Sequence, residues 1–165
     1  MASSTASLGQ SFNPYAMYPL KAVLKDRSNL CNVTESVQVL SPEAQWGSIK
    51  IGAGTPPVRI ALDGIEGWLA VFHGVDAMAP RGKKPSLRYS AGIVIHDLER
   101  PDRILYRSPQ PVLTPESQQE RRGVVDNVVF PSGIDPRPDL GEHTYDIYYG
   151  MGDYSIGAAR LRISL

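Results

Sequence analysis

An all-β protein is the expectation from this sequence, and two observations lead to it. The first is punctuation: 15 glycines and 14 prolines in 165 residues cut the chain into short pieces joined by frequent turns. The second is internal similarity, in which one order of short alternating runs occurs twice. Hydrophobic residues make up 42% and charged residues 21%, which is enough apolar side chain for a core and too little charge for wholesale disorder.

The elements can be taken in order. Residues 1–20 are rich in Ser and Ala and carry neither a positive n-region nor an apolar h-region. Residues 1–24 are therefore read as a flexible leader rather than a secretory signal, and the protein as cytoplasmic. The triplet Asn32-Val33-Thr34 fits a glycosylation acceptor, but without a signal peptide it is read as chance. A strand-bearing piece, Ala22 to Leu40, precedes the repeat. In the repeat itself, Phe72-His73-Gly74-Val75 resembles Tyr148-Tyr149-Gly150-Met151, each after a short alternating run. Downstream, Tyr89-Ser90-Ala91-Gly92 resembles Tyr154-Ser155-Ile156-Gly157, each opening another strand. Upstream, Pro57-Val58-Arg59-Ile60 and Val128-Val129-Phe130-Pro131 are read as equivalent first strands. The two copies differ by Ala77 to Arg88, whose Gly, Pro and Lys content predicts a surface loop. A fourth strand, Arg103 to Tyr106, follows in the first copy only.

A unit of about four antiparallel strands, repeated, is the pattern of a β-propeller blade. A closed ring needs at least about four blades of roughly 40 residues. This chain offers two clear blades and a preceding piece, so its open edges would need covering, and self-association is one way to do that.

Several function classes are excluded by charge and composition. Lys plus Arg equals Asp plus Glu at 17 each, which argues against nucleic acid or a polybasic membrane patch as partner. No apolar run approaches the roughly 20 residues of a membrane span. The single cysteine, Cys31, excludes an internal disulfide and a Cys-based zinc site, and the three separated histidines give a metal site little support.

Candidate binding residues cluster around the repeat. Lys50 precedes Gly52 and Gly54, which allow a tight backbone and close approach of a ligand; an exposed lysine before a turn is the plain alternative. His73 alternates with Phe72, so the two face opposite sides of their strand. Tyr89 opens its strand after the long insertion. Asp153 follows Gly150-Met151-Gly152, where a carboxylate could accept hydrogen bonds from a ligand or simply shape a turn. Asn127 is read as structural or supporting, Asp97 and Asp126 as spare carboxylates, and His96 and His143 as loop-edge residues. Trp68 is expected in the core, and Trp46 is open between core and stacking on a ligand.

Lys50-Ile51-Gly52-Ala53-Gly54-Thr55-Pro56-Pro57, Gly67-Trp68-Leu69, Phe72-His73-Gly74-Val75, Asn127-Val128-Val129-Phe130-Pro131-Ser132-Gly133 and Tyr148-Tyr149-Gly150-Met151-Gly152-Asp153 stand in one order. Together they resemble glycoside hydrolase family 130, the β-mannoside phosphorylases and β-mannosidases, from about Lys25 to Leu165. The resemblance implies a five-bladed β-propeller of which residues 25–165 are the carboxy-terminal two to three blades. It implies phosphate binding by Lys50, His73 and Tyr89, and sugar binding by Asp153 and Lys50. The general-acid Asp and the phosphate-holding arginines are implied to lie in earlier blades. The implied partners are a β-mannoside oligosaccharide and inorganic phosphate as co-substrate, with no other cofactor and no metal. The implied reaction is inverting phosphorolysis to α-mannose 1-phosphate. Hydrolases of the family put carboxylates in part of the region where a phosphorylase needs cations, so Lys50, His73 and Tyr89 favour phosphorolysis, and an inverting β-mannosidase is the first alternative. An inactive sugar-binding fragment, or a piece with no independent function, are the others.

Overall fold

In the computed structural model the described residues are 20–21, 35–36, 38–42, 46–81 and 84–164. Of the leader only Leu20–Lys21 falls among them, as β1, laddered antiparallel to β2 (Glu35–Ser36). The glycosylation triplet and Cys31 lie outside the described residues.

The first blade is built around two long strands, β5 (Ile65–Arg81) and β6 (Lys84–Asp97). Both are read by alternation. Leu69, Val71, His73 and Val75 lie on one face of β5, and Trp68, Ala70, Phe72 and Gly74 on the other. On the inner side β5 pairs with β3 (Lys50–Gly52) and then β4 (Val58–Leu62), and β6 carries β7 (Ile104–Arg107) on its far edge. The hairpin from β4 to β5 turns through Asp63 and Gly64, both at positive φ (48° and 80°), as a two-residue hairpin loop requires. The second blade has three strands, in the order β8 (Val129–Pro136), β9 (Thr144–Met151), β10 (Ser155–Arg162). A one-turn helix, α1 (Gln118–Arg121), lies between the blades.

The two sheets bury their facing columns against each other. Ile60, Leu69, Val71, Ile93 and Ile95 of the first meet Val129, Tyr145, Ile147 and Tyr149 of the second. Each such side chain removed from water stabilises the fold by about 1.5–3 kcal/mol. A smaller cluster covers the opposite face of the first blade, where Phe72, Ile51, Val94 and Leu40 gather around Trp46. Trp46 is thus a core residue. Its indole stacks on Phe72 at 5.2 Å and fits only because Gly92 lies beneath it, where an added Cβ would stand 2.2 Å from the ring.

Five readings from the sequence change. The segment Ala77 to Arg88 is not a loop: its arms pair from Asp76↔Arg88 to Met78↔Ser86, and regular register fails only beyond Met78. Pairing satisfies backbone groups that a loop would leave to water, and Pro80 and Pro85 fall where the register is already lost. The first strands are also aligned differently. Ile51 pairs with Gly74 and Phe130 with Gly150, so β8 corresponds to β3 rather than to Pro57–Ile60. The first blade's inner strand is broken by residues 53–57, where the second has only a bulge between Pro131 and Gly133. Trp68 is not core: it is 36% exposed at the sheet margin, its indole N–H donating to Leu98 O. His96 is buried within β6 instead of at a loop edge. Asn127 precedes β8 at φ 60° rather than lying in a strand.

Candidate functional site

Strand register gathers three of the singled-out residues. Lys50 pairs with Val75, and Val75 with Tyr89, so the three stand in one row across β3, β5 and β6 with side chains on the same face. His73 is two residues from Val75 along β5 and shares that face. Lys50 Nζ lies 5.5 Å from the Tyr89 ring centroid, and the His73 ring 6.1 Å from it. Phe130 of β8 closes the far side, its ring 4.4 Å from that of His73. Tyr89 lies within β6 rather than opening it.

His73 is almost fully buried, and Ala53 O lies 2.8 Å from its Nδ1. That contact assigns the Nδ1 proton, since the carbonyl can only accept, and leaves Nε2 as a lone pair when the ring is neutral. Burial pushes the imidazole below its ordinary pKa; the Ala53 bond opposes this, and the nearby Lys50 charge adds to the lowering. The neutral ring is therefore the resting form. Gly52 leaves room for the ring: a Cβ there would stand 2.3 Å from His73 Cε1.

Asp153 does not join this cluster by side-chain contact among the described residues. It is exposed in the β9–β10 turn, where Gly152 and Asp153 both have positive φ (58° and 52°) and Tyr154 N–H donates to Met151 O. The backbone nevertheless brings the turn to the same end of the molecule. Tyr89 bridges Val128 in parallel, Tyr89 N–H donates to Asn127 O at 2.9 Å, and Gly152 N–H donates to Val128 O at 3.2 Å. A continuous line thus runs from Lys50 through Tyr89 to the Asp153 turn. Of the other carboxylates, Asp97 accepts from the Glu99 and Arg100 amides of its own turn, and Asp126 sits 3.6 Å from Arg122. Asn127 Nδ2 reaches Ser86 Oγ at 3.5 Å.

Glu120, not singled out from the sequence, holds this region together. It is the buried N3 residue of α1, with Ser117 as reciprocal cap. Glu120 Oε1 accepts from the Tyr149 hydroxyl at 2.8 Å, and Oε2 from the Ser117 and Glu116 amides. Burial alone would raise this carboxyl, but the hydrogen bonds outweigh it and hold it below the usual range. Burial, then the Glu120 bond and charge, push the Tyr149 hydroxyl up to about 12. The signal was legible, because Ser117-Gln118-Gln119-Glu120 is a capping-box pattern.

The family model for β-1,4-mannooligosaccharide phosphorylase, glycoside hydrolase family 130, matches residues 18–164. The chain belongs to glycoside hydrolase family 130. Relatives within family 130 include a β-1,2-mannobiose phosphorylase of Thermoanaerobacter sp. (strain X514), 36% identical over 73% of this chain and 35% of that protein. The β-1,4-mannooligosaccharide phosphorylase of Ruminococcus albus is 34% identical over 76% of this chain and 34% of its own length. The structure of the Listeria innocua β-1,2-mannobiose phosphorylase in complex with β-1,2-mannobiose superposes with a TM-score of 0.62 at 26% identity. It covers 78% of this chain and 32% of that one. The fold is accordingly part of a five-bladed β-propeller, and the chain spans about a third of the length of the curated relatives it matches.

Proposed function

We propose that this chain contributes the phosphate-side wall of a β-mannoside phosphorylase site. The observation that carries the reading is the shared face of Lys50, His73 and Tyr89. Burial and the Lys50 charge disfavour a proton on His73, so the ring resists becoming a second cation beside Lys50. A phosphate dianion reverses that balance: Lys50 pairs with it, Tyr89 donates its hydroxyl, and His73, once protonated, donates Nε2–H. In the reaction a phosphate oxygen forms the bond to the anomeric carbon, the bond to the leaving sugar breaks, and a proton passes to the leaving oxygen. The acid that supplies that proton is assigned to the part of the family's length that this chain does not match. Asp153, exposed at the end of the same backbone line, is assigned to sugar hydroxyls.

The test has two stages. Calorimetry of the chain with inorganic phosphate should show binding that Lys50→Met removes. The chain combined with the remaining family blades should then release mannose 1-phosphate from β-mannosides only when phosphate is present. Free mannose formed at equal rate without phosphate would overturn phosphorolysis in favour of hydrolysis.

A further inference from the structure

The row of Lys50, Val75 and Tyr89 is braced from the opposite side of its sheet. Alternation turns Asp76 of β5 and Arg88 of β6 away from Lys50 and Tyr89, onto the face that carries Phe72 and Gly74. Asp76 and Arg88 are register partners, one step along from Val75 and Tyr89. One strand residue spans only about 3.3 Å, so the brace sits directly behind the row. Asp76 is almost fully buried, and its two carboxylate oxygens are divided between two strands. Oδ1 accepts from the Gly47 amide at 2.6 Å and the Ser48 amide at 3.4 Å, where the chain enters β3. Oδ2 accepts from Arg88 Nη2 of β6 at 3.3 Å. One side chain of β5 thus ties β3 to β6.

The shortness of β3 makes this tie matter. The strand has three residues, Lys50–Gly52, and its ladder to β5 begins at Lys50 itself. Just upstream, Ile49 N–H donates to Val75 O at 3.0 Å, and the Asp76 carboxylate holds the two residues before that. Gly47 has φ 67° and passes close over Gly74, where an added Cβ would stand 2.8 Å from Gly47 Cα. The groups that meet Asp76 on its two sides are all donors, so the side chain between them must accept on both. An asparagine would set its NH2 against either the Gly47 amide or the Arg88 guanidinium.

We propose that Asp76 is a positioning residue for Lys50, fixing the entry to β3 so that the lysine stands beside Tyr89. It lies behind the sheet, so it acts through Lys50 and not on phosphate; its consequence for phosphate binding rests on the phosphorylase reading above.

Asp76→Ala and Asp76→Asn, each in the full 165-residue chain, are compared with wild type in two measurements. In calorimetry with inorganic phosphate, affinity should fall about tenfold, the scale of one hydrogen bond to a charged group. In an NMR titration of the His73 ring without phosphate, its pKa should rise, because the Lys50 charge that helps to lower it moves away. Loss of the Asp76 charge by itself would move the ring the other way, since a negative neighbour favours the protonated form. In a Lys50→Met background neither substitution should raise the His73 pKa, because the residue through which Asp76 acts is gone. Wild-type phosphate affinity in the variants, an unchanged or lowered His73 pKa, or the same rise without Lys50 overturns the assignment. Asp76→Asn is close to the native side chain in volume and carries these readings where Asp76→Ala loses its cooperative melt. A wild-type chain that binds no phosphate overturns the phosphorylase reading alone, and the His73 titration then still decides the placement of Lys50.

Discussion

His73 concentrates the chemistry of the site in one ring. Its Nδ1–H is committed to Ala53 O, so Nε2 becomes a donor only when the ring is charged. Phosphate binding near neutral pH should therefore be accompanied by uptake of roughly one proton by the ring. Calorimetry in two buffers of different ionisation heat measures this, and His73→Asn should remove the uptake. The same lowered pKa makes a stability prediction. Below the ordinary value of about 6.5, the unfolded chain takes up the proton before the folded one. His73 therefore stabilises the fold above that value, and the contribution is lost as pH falls through the lower folded value. Buried His96, whose pKa is also lowered by burial, adds in the same direction. Melting temperature should fall between pH 7 and 5, less steeply in His73→Asn. Gly52→Ala should cost about 1–3 kcal/mol in urea unfolding, because the new methyl would overlap the buried His73 ring.

Elements hold these side chains by register more than by loop shape. The inner strand of the first blade is interrupted between β3 and β4, yet both halves keep pairing with β5, and Lys50 keeps its row with Tyr89. Residues 53–57 carry both Ala53, whose carbonyl meets His73, and Thr55, whose hydroxyl accepts from the Val71 amide at 3.0 Å. Between the blades, α1 is too short to be stable alone and owes its place to Glu120. Tyr149→Phe keeps the ring packing but removes one donor from a buried carboxylate, and should cost about 1–3 kcal/mol. Glu120→Gln should also flatten the acid limb of the stability curve. The carboxylate stabilises the fold above its unfolded pKa near 4.3, and that share is lost as pH falls through the lower folded value.

At the scale of the whole molecule, one face of the second sheet turns away from the core. Tyr154 is 82% and Ile156 79% exposed, and Tyr148 shares that surface. β10 pairs only with β9 among the described residues, so within them its other edge carries backbone donors and acceptors with no strand partner. Beside these apolar groups Asp146 bonds both Arg137 and Arg160, which neutralises part of the same face. Sedimentation velocity should show association that grows with concentration and is reduced by Ile156→Lys. A wild-type chain that stays monomeric across the range would count against an adhesive face.

Local chemistry made much of this legible from the residues. Alternation placed β5, β6, β9 and β10, and the paired glycine and aromatic motifs showed that one unit occurs twice, because side-chain period and turn chemistry act over a few residues. Those signals say nothing of which strands lie opposite one another. Register decided that Lys50, Val75 and Tyr89 share a row, that Phe130 answers Ile51 rather than a residue of Pro57–Ile60, and that the Ala77–Arg88 insertion pairs with itself. Packing decided between two tryptophans of equal hydrophobicity. Trp46 lies over glycines that leave room for its ring, and Trp68 stands at a sheet margin, 36% exposed. Burial against a distant partner is a property of the folded chain, since the residues that exclude water from one another are dozens of positions apart in sequence.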